Sequence, residues 1–188
     1  MEIEQYKRIM ALYASGVAVV TCRTRSGEAY GVTVSSFTSV SLDPPLVLFC
    51  LSRSLTGLDD LLGGSRLAIH VLAEGQEAVS DHFATAGSDR SERCGLYAGD
   101  SGDAPHLKEY LARVEARLQR AIEAGDHVIV VCRVLEVSAG DLLGGRGPLV
   151  YWGSRYHRLA QAAVSVPPAP EAVEYWGRRE TSEPEVRS

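Results

Sequence analysis

The chain has no excess of positive charge. Its 188 residues include 19 Lys and Arg against 24 Asp and Glu, a formal net charge of −5 with a pI near 5.5. No broad basic field is present to attract a phosphate backbone, so nucleic acid is not an expected partner. Metal-type cysteine spacing is missing too. Cys22, Cys50, Cys94 and Cys132 stand far apart without a CxxC, and three of them lie in apolar runs where a thiol serves as a small hydrophobe, so no metal site is expected. No apolar run approaches the length of a membrane span, and the start, MEIEQYKRIM, has neither the basic nor the apolar region of a signal peptide. A cytoplasmic protein without a membrane partner is the expectation. At 45% hydrophobic residues the chain suffices for one domain with a proper core, and two would be cramped.

Against these absences one stretch stands out. Residues 31–51, GVTVSSFTSVSLDPPLVLFCL, contain no charge except Asp43. Val32, Val34, Val40 and Leu42 alternate with Thr33, Ser35, Ser39 and Ser41, the period of a strand with one buried face and one hydroxyl-bearing face. Asp43-Pro44-Pro45 should interrupt pairing, because each proline removes a donor and restrains the residue before it. Leu46 to Leu51 then resumes as a continuous apolar run, which predicts a strand buried on both faces. The hydroxyl face is either the wall of a ligand pocket or an ordinary solvated edge, since Thr is a strand former in any setting.

Around this stretch the pattern predicts a short amphipathic helix over residues 3–14, a strand from Val17 to Cys22 and a charged turn at Arg25–Glu28. After Leu51, the hydroxyls of Ser52, Ser54 and Thr56 precede a helical leucine spacing that Gly63-Gly64 ends. They are either plain N-caps or, with Arg53, a site suited to a phosphate. Residues 66–72 read as a buried strand with His70 a satisfied core histidine, and residues 74–85 as a helix. Residues 86–105 form a long Gly/Ser/Asp-rich loop of the kind that often covers a site. Residues 111–122 fit a helix face and a strand alternation equally well, and propensity favours helix. Beyond Gly125-Asp126, residues 127–137 are a strong β run, Gly144–Gly147 is a turn, and PLVYW (148–152) is a last short strand. From about residue 164 the composition turns to Pro, Glu and Arg, which marks 164–188 as a tail after a domain of residues 1–163. Its Tyr175-Trp176-Gly177-Arg178 echoes Tyr151-Trp152-Gly153, either as a docking element or by chance.

Many short strands with marginal helices indicate a mainly β barrel. ASGVAVVT (14–21), the stretch at 31–51, Phe83-Ala84, AGDHVIVVCRV (124–134) and PLVYWGSRYHRLAQ (148–161) occur in an order that resembles the flavin reductase family. These are NAD(P)H:flavin oxidoreductases that serve two-component monooxygenases. The resemblance implies an FMN-binding split β-barrel, Greek-key-like, with a few peripheral helices, and it makes residues 111–122 a strand.

It also implies site residues. Thr33, Val34, Ser35 and Ser36 would lie along the isoalloxazine ring, and Ser52, Arg53, Ser54 and Thr56 would receive the flavin phosphate or ribityl chain. Phe83, His127, Arg155 and Tyr156 match positions at or near the flavin and nicotinamide. His127 is the candidate catalytic residue, a hydrogen-bond partner rather than an obligatory proton donor, unless it is simply a turn histidine heading a strand. Many relatives carry Asn where this chain has Ser35. The implied reaction is hydride transfer from NADH or NADPH to FMN or FAD by a homodimer that hands reduced flavin to a monooxygenase. A flavin carrier or electron-transfer module without turnover, and a split-barrel oxidase, are the alternatives.

Overall fold

The computed structural model describes residues 1–63, 66–98, 104–140 and 145–160. The expected tail and the end of the expected 1–163 domain lie outside the described residues, as do part of the 86–105 loop and part of the turn at 144–147. The first helix, α1 (Ile3–Met10), is shorter than its periodicity suggests. Tight turns end it, with Leu12 N–H donating to Ile9 and Tyr13 N–H to Met10, while the Trp152 indole binds the Leu12 carbonyl at 2.9 Å. Strands β1 (Ser15–Gly16), β2 (Ala18–Arg23), β3 (Ala29–Val34), β4 (Thr38–Leu42) and β5 (Pro45–Ser52) follow. The rest is α2 (Leu58–Gly63), β6 (Leu67–Val71), α3 (Glu77–Ala84), β7 (Ala112–Ala124), β8 (His127–Ala139), β9 (Val150–Trp152) and β10 (Arg155–His157). Residues 112–124 are therefore a strand. Pairing with β6 and β8 overrides the helical propensity of Ala, Leu, Glu and Arg.

Seven strands form one antiparallel sheet in the order β3-β2-β6-β7-β8-β5-β4. Its two edges, β3 and β4, are consecutive in sequence, so only Ser35–Phe37 separates one edge of the sheet from the other. The sheet curls until β3 approaches β5, yet among the described residues no ladder closes it. This is a split barrel rather than a closed one. A three-stranded sheet, β1-β9-β10, sits beside it. Gly153 (φ 58°) and Ser154 (φ 61°) make the two-residue turn between β9 and β10, the left-handed pair that matches strand twist in a tight hairpin.

The curl creates two cores. Inside it, Val20, Val32, Val34, Phe49, Leu51, Ile69, Val130 and their neighbours are buried together. On the outer face of β2 and β6, Val17, Val19, Leu72, Phe83, Tyr97, Leu107 and Leu149 form the second. Strands β2 and β6 are accordingly the ones buried on both faces. The apolar run in β5, expected to be so buried, alternates instead, with Val47, Phe49 and Leu51 inside and Leu46, Leu48 and Cys50 half-buried. α3 packs against β3 and β2, and among the described residues it gives β5 no comparable cover. The alternation expected to bury Val40 and Leu42 also fails: a bulge between Ser39 and Ser41 breaks the register of an edge strand, leaving Leu42 79% exposed.

His70 occupies the centre of the second layer with no exposed surface. Its Nδ1 donates to the Val19 carbonyl at 3.3 Å and its Nε2 accepts from Leu107 N–H at 3.2 Å. Burial holds the imidazole neutral and lowers its pKa from 6.5 to about 3, with His106 and Arg113 nearby adding repulsion for a proton. Between pH 6.5 and about 3 the unfolded chain binds a proton here that the folded chain does not, so stability is lost as the pH is lowered across that window. Thermal melts of the His70→Gln variant should show a shallower loss from pH 6.5 to 4 than the parent. Some slope persists through His106, whose pKa is lowered by burial and by Arg113 against the opposing pull of Glu115. An unchanged slope would contradict this.

Candidate functional site

Four of the candidate residues, Thr33 to Ser36, lie at the end of β3 and in the crossing that follows it, and each has different surroundings. Val34 is buried in the inner core. Thr33 points to the other side of β3, where its hydroxyl donates to the Ser80 carbonyl of α3 at 2.7 Å. Ser36 extends the β4–β5 ladder with its side chain, Oγ accepting the Cys50 N–H at 2.8 Å. Ser35 alone of the four is exposed. Residues 35–37 belong to neither ladder, and among the described residues their N–H groups meet no backbone acceptor. A row of unpaired donors thus lies at the break in the barrel.

Two residues beyond Cys50, β5 ends at Ser52, which pairs with His127 at the start of β8. The expected GDH turn and the hydroxyl-rich segment are therefore one locus. Gly125 (φ 63°) turns the hairpin, and Arg53 N–H donates to the Asp126 carbonyl at 2.9 Å. The hydroxyls do not cap α2, which begins only at Leu58. Ser52 Oγ instead accepts the Ser54 N–H at 3.2 Å and lies 2.8 Å from Ser54 Oγ. The Arg53 guanidinium sits 3.6 Å from Glu123, an exposed pair of small energetic weight that an anion could replace. Thr56 is exposed and its carbonyl accepts the Tyr30 hydroxyl. His127 is half exposed. Its Nδ1 is 2.8 Å from the Asp126 carboxylate, a contact that keeps that carboxyl below the usual range, chiefly through the hydrogen bond. Strand pairing sets Leu48, Cys50 and Ser52 opposite Val131, Ile129 and His127. A half-open apolar face, with Ser36 at one side and His127 at its end, is the result.

The remaining candidates sit elsewhere. Phe83 is fully buried, its ring 2.7 Å from where a Cβ on Gly31 would be, so glycine there permits the close approach of α3 to β3. Tyr156 on β10 donates to the Asp81 carboxylate at 2.7 Å and lies 2.9 Å from Ser80 Oγ. Partial burial raises its pKa first, with Asp81 adding to the rise and Ser80 opposing it. Arg155 is exposed beside it. Thr33, Ser80 and Tyr156 form a second locus, which joins the small sheet to β3 through α3. Sequence reading passed over Ser80 and Asp81, although they are the helix partners of two candidates. A mid-helix Ser-Asp gives no local signal of that. It also passed over Tyr30 and Arg90, whose hydrogen bond at 2.8 Å joins residues 60 apart.

The chain matches the family model described as "Flavin reductase like domain" over residues 10–160. It is 41% identical over 155 residues to the "Probable flavin reductase" of Rhizobium meliloti strain 1021, covering 81% of this chain and 48% of that protein. It thus spans about half of that relative's length. With the reductase component of 4-hydroxyphenylacetate 3-monooxygenase from Thermus thermophilus it shares 39% identity over 156 residues, 83% of this chain and 96% of the other. The structure of the Streptomyces globisporus NADH:FAD oxidoreductase SgcE6, in complex with NAD and FAD fragments, superposes with a TM-score of 0.76 at 32% identity, covering 86% of this chain and 95% of that one.

Because Ser36 satisfies a strand N–H while the exposed Ser35 side chain meets no partner among the described residues, the two serines should respond differently. Ser36→Ala is expected to lower stability by about 1–2 kcal/mol in urea unfolding, from the stranded Cys50 amide. Ser35→Ala should leave stability unchanged within about 0.5 kcal/mol.

Proposed function

The chain belongs to the flavin reductase-like family, and on that premise we propose that it transfers a hydride from NADH or NADPH to oxidised FMN or FAD. One observation carries the reading: the unpaired N–H groups of Ser35–Phe37 border the half-open apolar face of β5 and β8, with His127 at its far end. A flat ring with one polar edge has a matching surface there. The flavin, when bound, supplies the ring that accepts the hydride.

The protein's part is to bind, orient and stabilise. The donors of residues 35–37 and the Ser35 hydroxyl are set, without reorganisation, to meet the negative charge that the ring's polar edge gains on reduction. Leu48, Cys50, Ile129 and Val131 exclude water from the face against which the ring packs. Ser52, Arg53, Ser54 and Thr56 receive the phosphate or ribityl chain. Asp126 fixes one nitrogen of His127 and leaves Nε2 to hydrogen-bond the nicotinamide or the flavin edge. In this reading Phe83 acts from beneath, by setting α3 against β3, and Tyr156 and Arg155 border the nicotinamide side.

Reduced flavin then passes to a partner monooxygenase, in keeping with the Thermus thermophilus relative's naming as a monooxygenase reductase component. The enzyme acts as a homodimer. α1 supports this, since it buries none of its residues and leaves Ile3 and Ile9 each 60% exposed. A cytoplasmic setting belongs to the same proposal, supported by four cysteines that are all free.

Steady-state NADH or NADPH oxidation is the test. Consumption should require added FMN or FAD, and a yellow protein inert to both nicotinamides would favour a carrier. His127→Ala should lower kcat/KM for the nicotinamide about tenfold, the worth of one lost hydrogen bond in a partly desolvated site; unchanged kinetics would remove His127 from the site.

A further inference from the structure

The segment Ser52–Gly57 has to hold a particular shape if its hydroxyls and Arg53 are to converge on an anion, yet it is a loop between β5 and the six-residue α2. Its first half is fixed by Arg53 N–H on Asp126 and by the Ser52–Ser54 turn. Its second half is fixed from β3. The Tyr30 hydroxyl spends its one proton on the Thr56 carbonyl, and the ring lies flat against the next residue. A Cβ on Gly57 would come within 2.7 Å of the Tyr30 ring, and that glycine holds φ at +87°. Tyr30 and Gly57 are thus matched in shape, and neither tolerates much displacement of the other.

Tyr30 is itself held from outside. Arg90 Nη1 donates to its hydroxyl oxygen at 2.8 Å, and the guanidinium carbon stands 5.5 Å from the ring centroid. Nη2 of the same group donates to the Thr85 carbonyl at 2.9 Å, at the end of α3, and the Arg90 carbonyl accepts the Tyr97 hydroxyl at 2.7 Å. Arg90 therefore spans the segment after α3 and the sheet edge with its planar fork. A lysine carries its three donors on a single nitrogen and cannot reproduce the planar fork that reaches both acceptors. The charge also polarises the Tyr30 O–H toward Thr56, so the two hydrogen bonds reinforce each other.

We propose that Tyr30 and Arg90 are positioning residues that hold the Ser52–Gly57 loop in the shape that recognises the phosphate of a flavin nucleotide. The inference rests on the reading of that loop given above. It goes beyond it by assigning phosphate recognition to a relay that starts on the segment following α3. Neither residue touches the ligand; both act through the Thr56 carbonyl and Gly57.

Fluorescence titrations of the full chain with FMN and with riboflavin, which share the ring and differ by the phosphate, separate this role from a merely structural one. The parent should bind FMN more tightly than riboflavin. Tyr30→Phe, Arg90→Ala and Arg90→Lys should each weaken FMN about tenfold, leave riboflavin within about twofold, and raise KM for FMN while kcat at saturating FMN holds. Equal losses for both flavins, no loss, or full function in Arg90→Lys would overturn the inference. So would a parent that binds the two flavins equally. A parent with no flavin-dependent NADH or NADPH oxidation would instead defeat the functional reading itself, and the relay with it. If Tyr30→Phe does not fold, the half-buried Arg90 variants decide.

Discussion

Two edges of one sheet have to be brought face to face without being allowed to pair. β3 and β4 flank the seven-stranded sheet, and three residues of chain join them. Val32 and Val34 on one side and Val47, Phe49 and Leu51 on the other demand to be buried together, which is worth about 1.5–3 kcal/mol for each large side chain. That demand curls the sheet. Ser35–Phe37 then crosses the gap with its donors unpaired, and closing the barrel there would consume them. The open seam and the exposed donors are two consequences of one constraint.

Several small devices keep the seam in place. Ser36 finishes the β4–β5 ladder with a hydroxyl where a main-chain partner is missing, so the crossing is anchored on one side. Gly31 lets Phe83 press α3 onto β3, and Thr33 adds a hydrogen bond to the same helix, anchoring the other side. Tyr156 continues that connection to the small sheet through Asp81. Of the hydroxyls along the crossing, those of Thr33 and Ser36 are engaged in holding the backbone. Ser35 stays exposed.

Much of this was legible in the sequence, and the failures have physical causes. The strands at residues 17–22, 66–72 and 127–137, the helix near 77–84 and the core role of His70 follow from periodicity and β-branching. The strand at 112–124 was not readable from propensity, because its second half is largely exposed and its residues favour helix; only its partners decide. The hydroxyl alternation at 33–41 read as one continuous face, but the chain leaves one sheet edge at Val34 and joins the opposite edge at Thr38. Period-two patterning cannot report a change of edge. For the same reason the resemblance grouped Thr33, Ser35 and Ser36, while the fold gives them three different surroundings. The adjacency of Ser52 to His127 was latent in the strand order, and the Tyr30–Arg90 contact, at a separation of 60 residues, carried no local signal.

A crystal structure of the chain with FMN bound tests the central claim most directly. The account predicts the isoalloxazine along residues 35–37 with its polar edge on their N–H groups, and the phosphate against Ser52–Thr56. A flavin seated elsewhere, with those amides still unpaired, would contradict it.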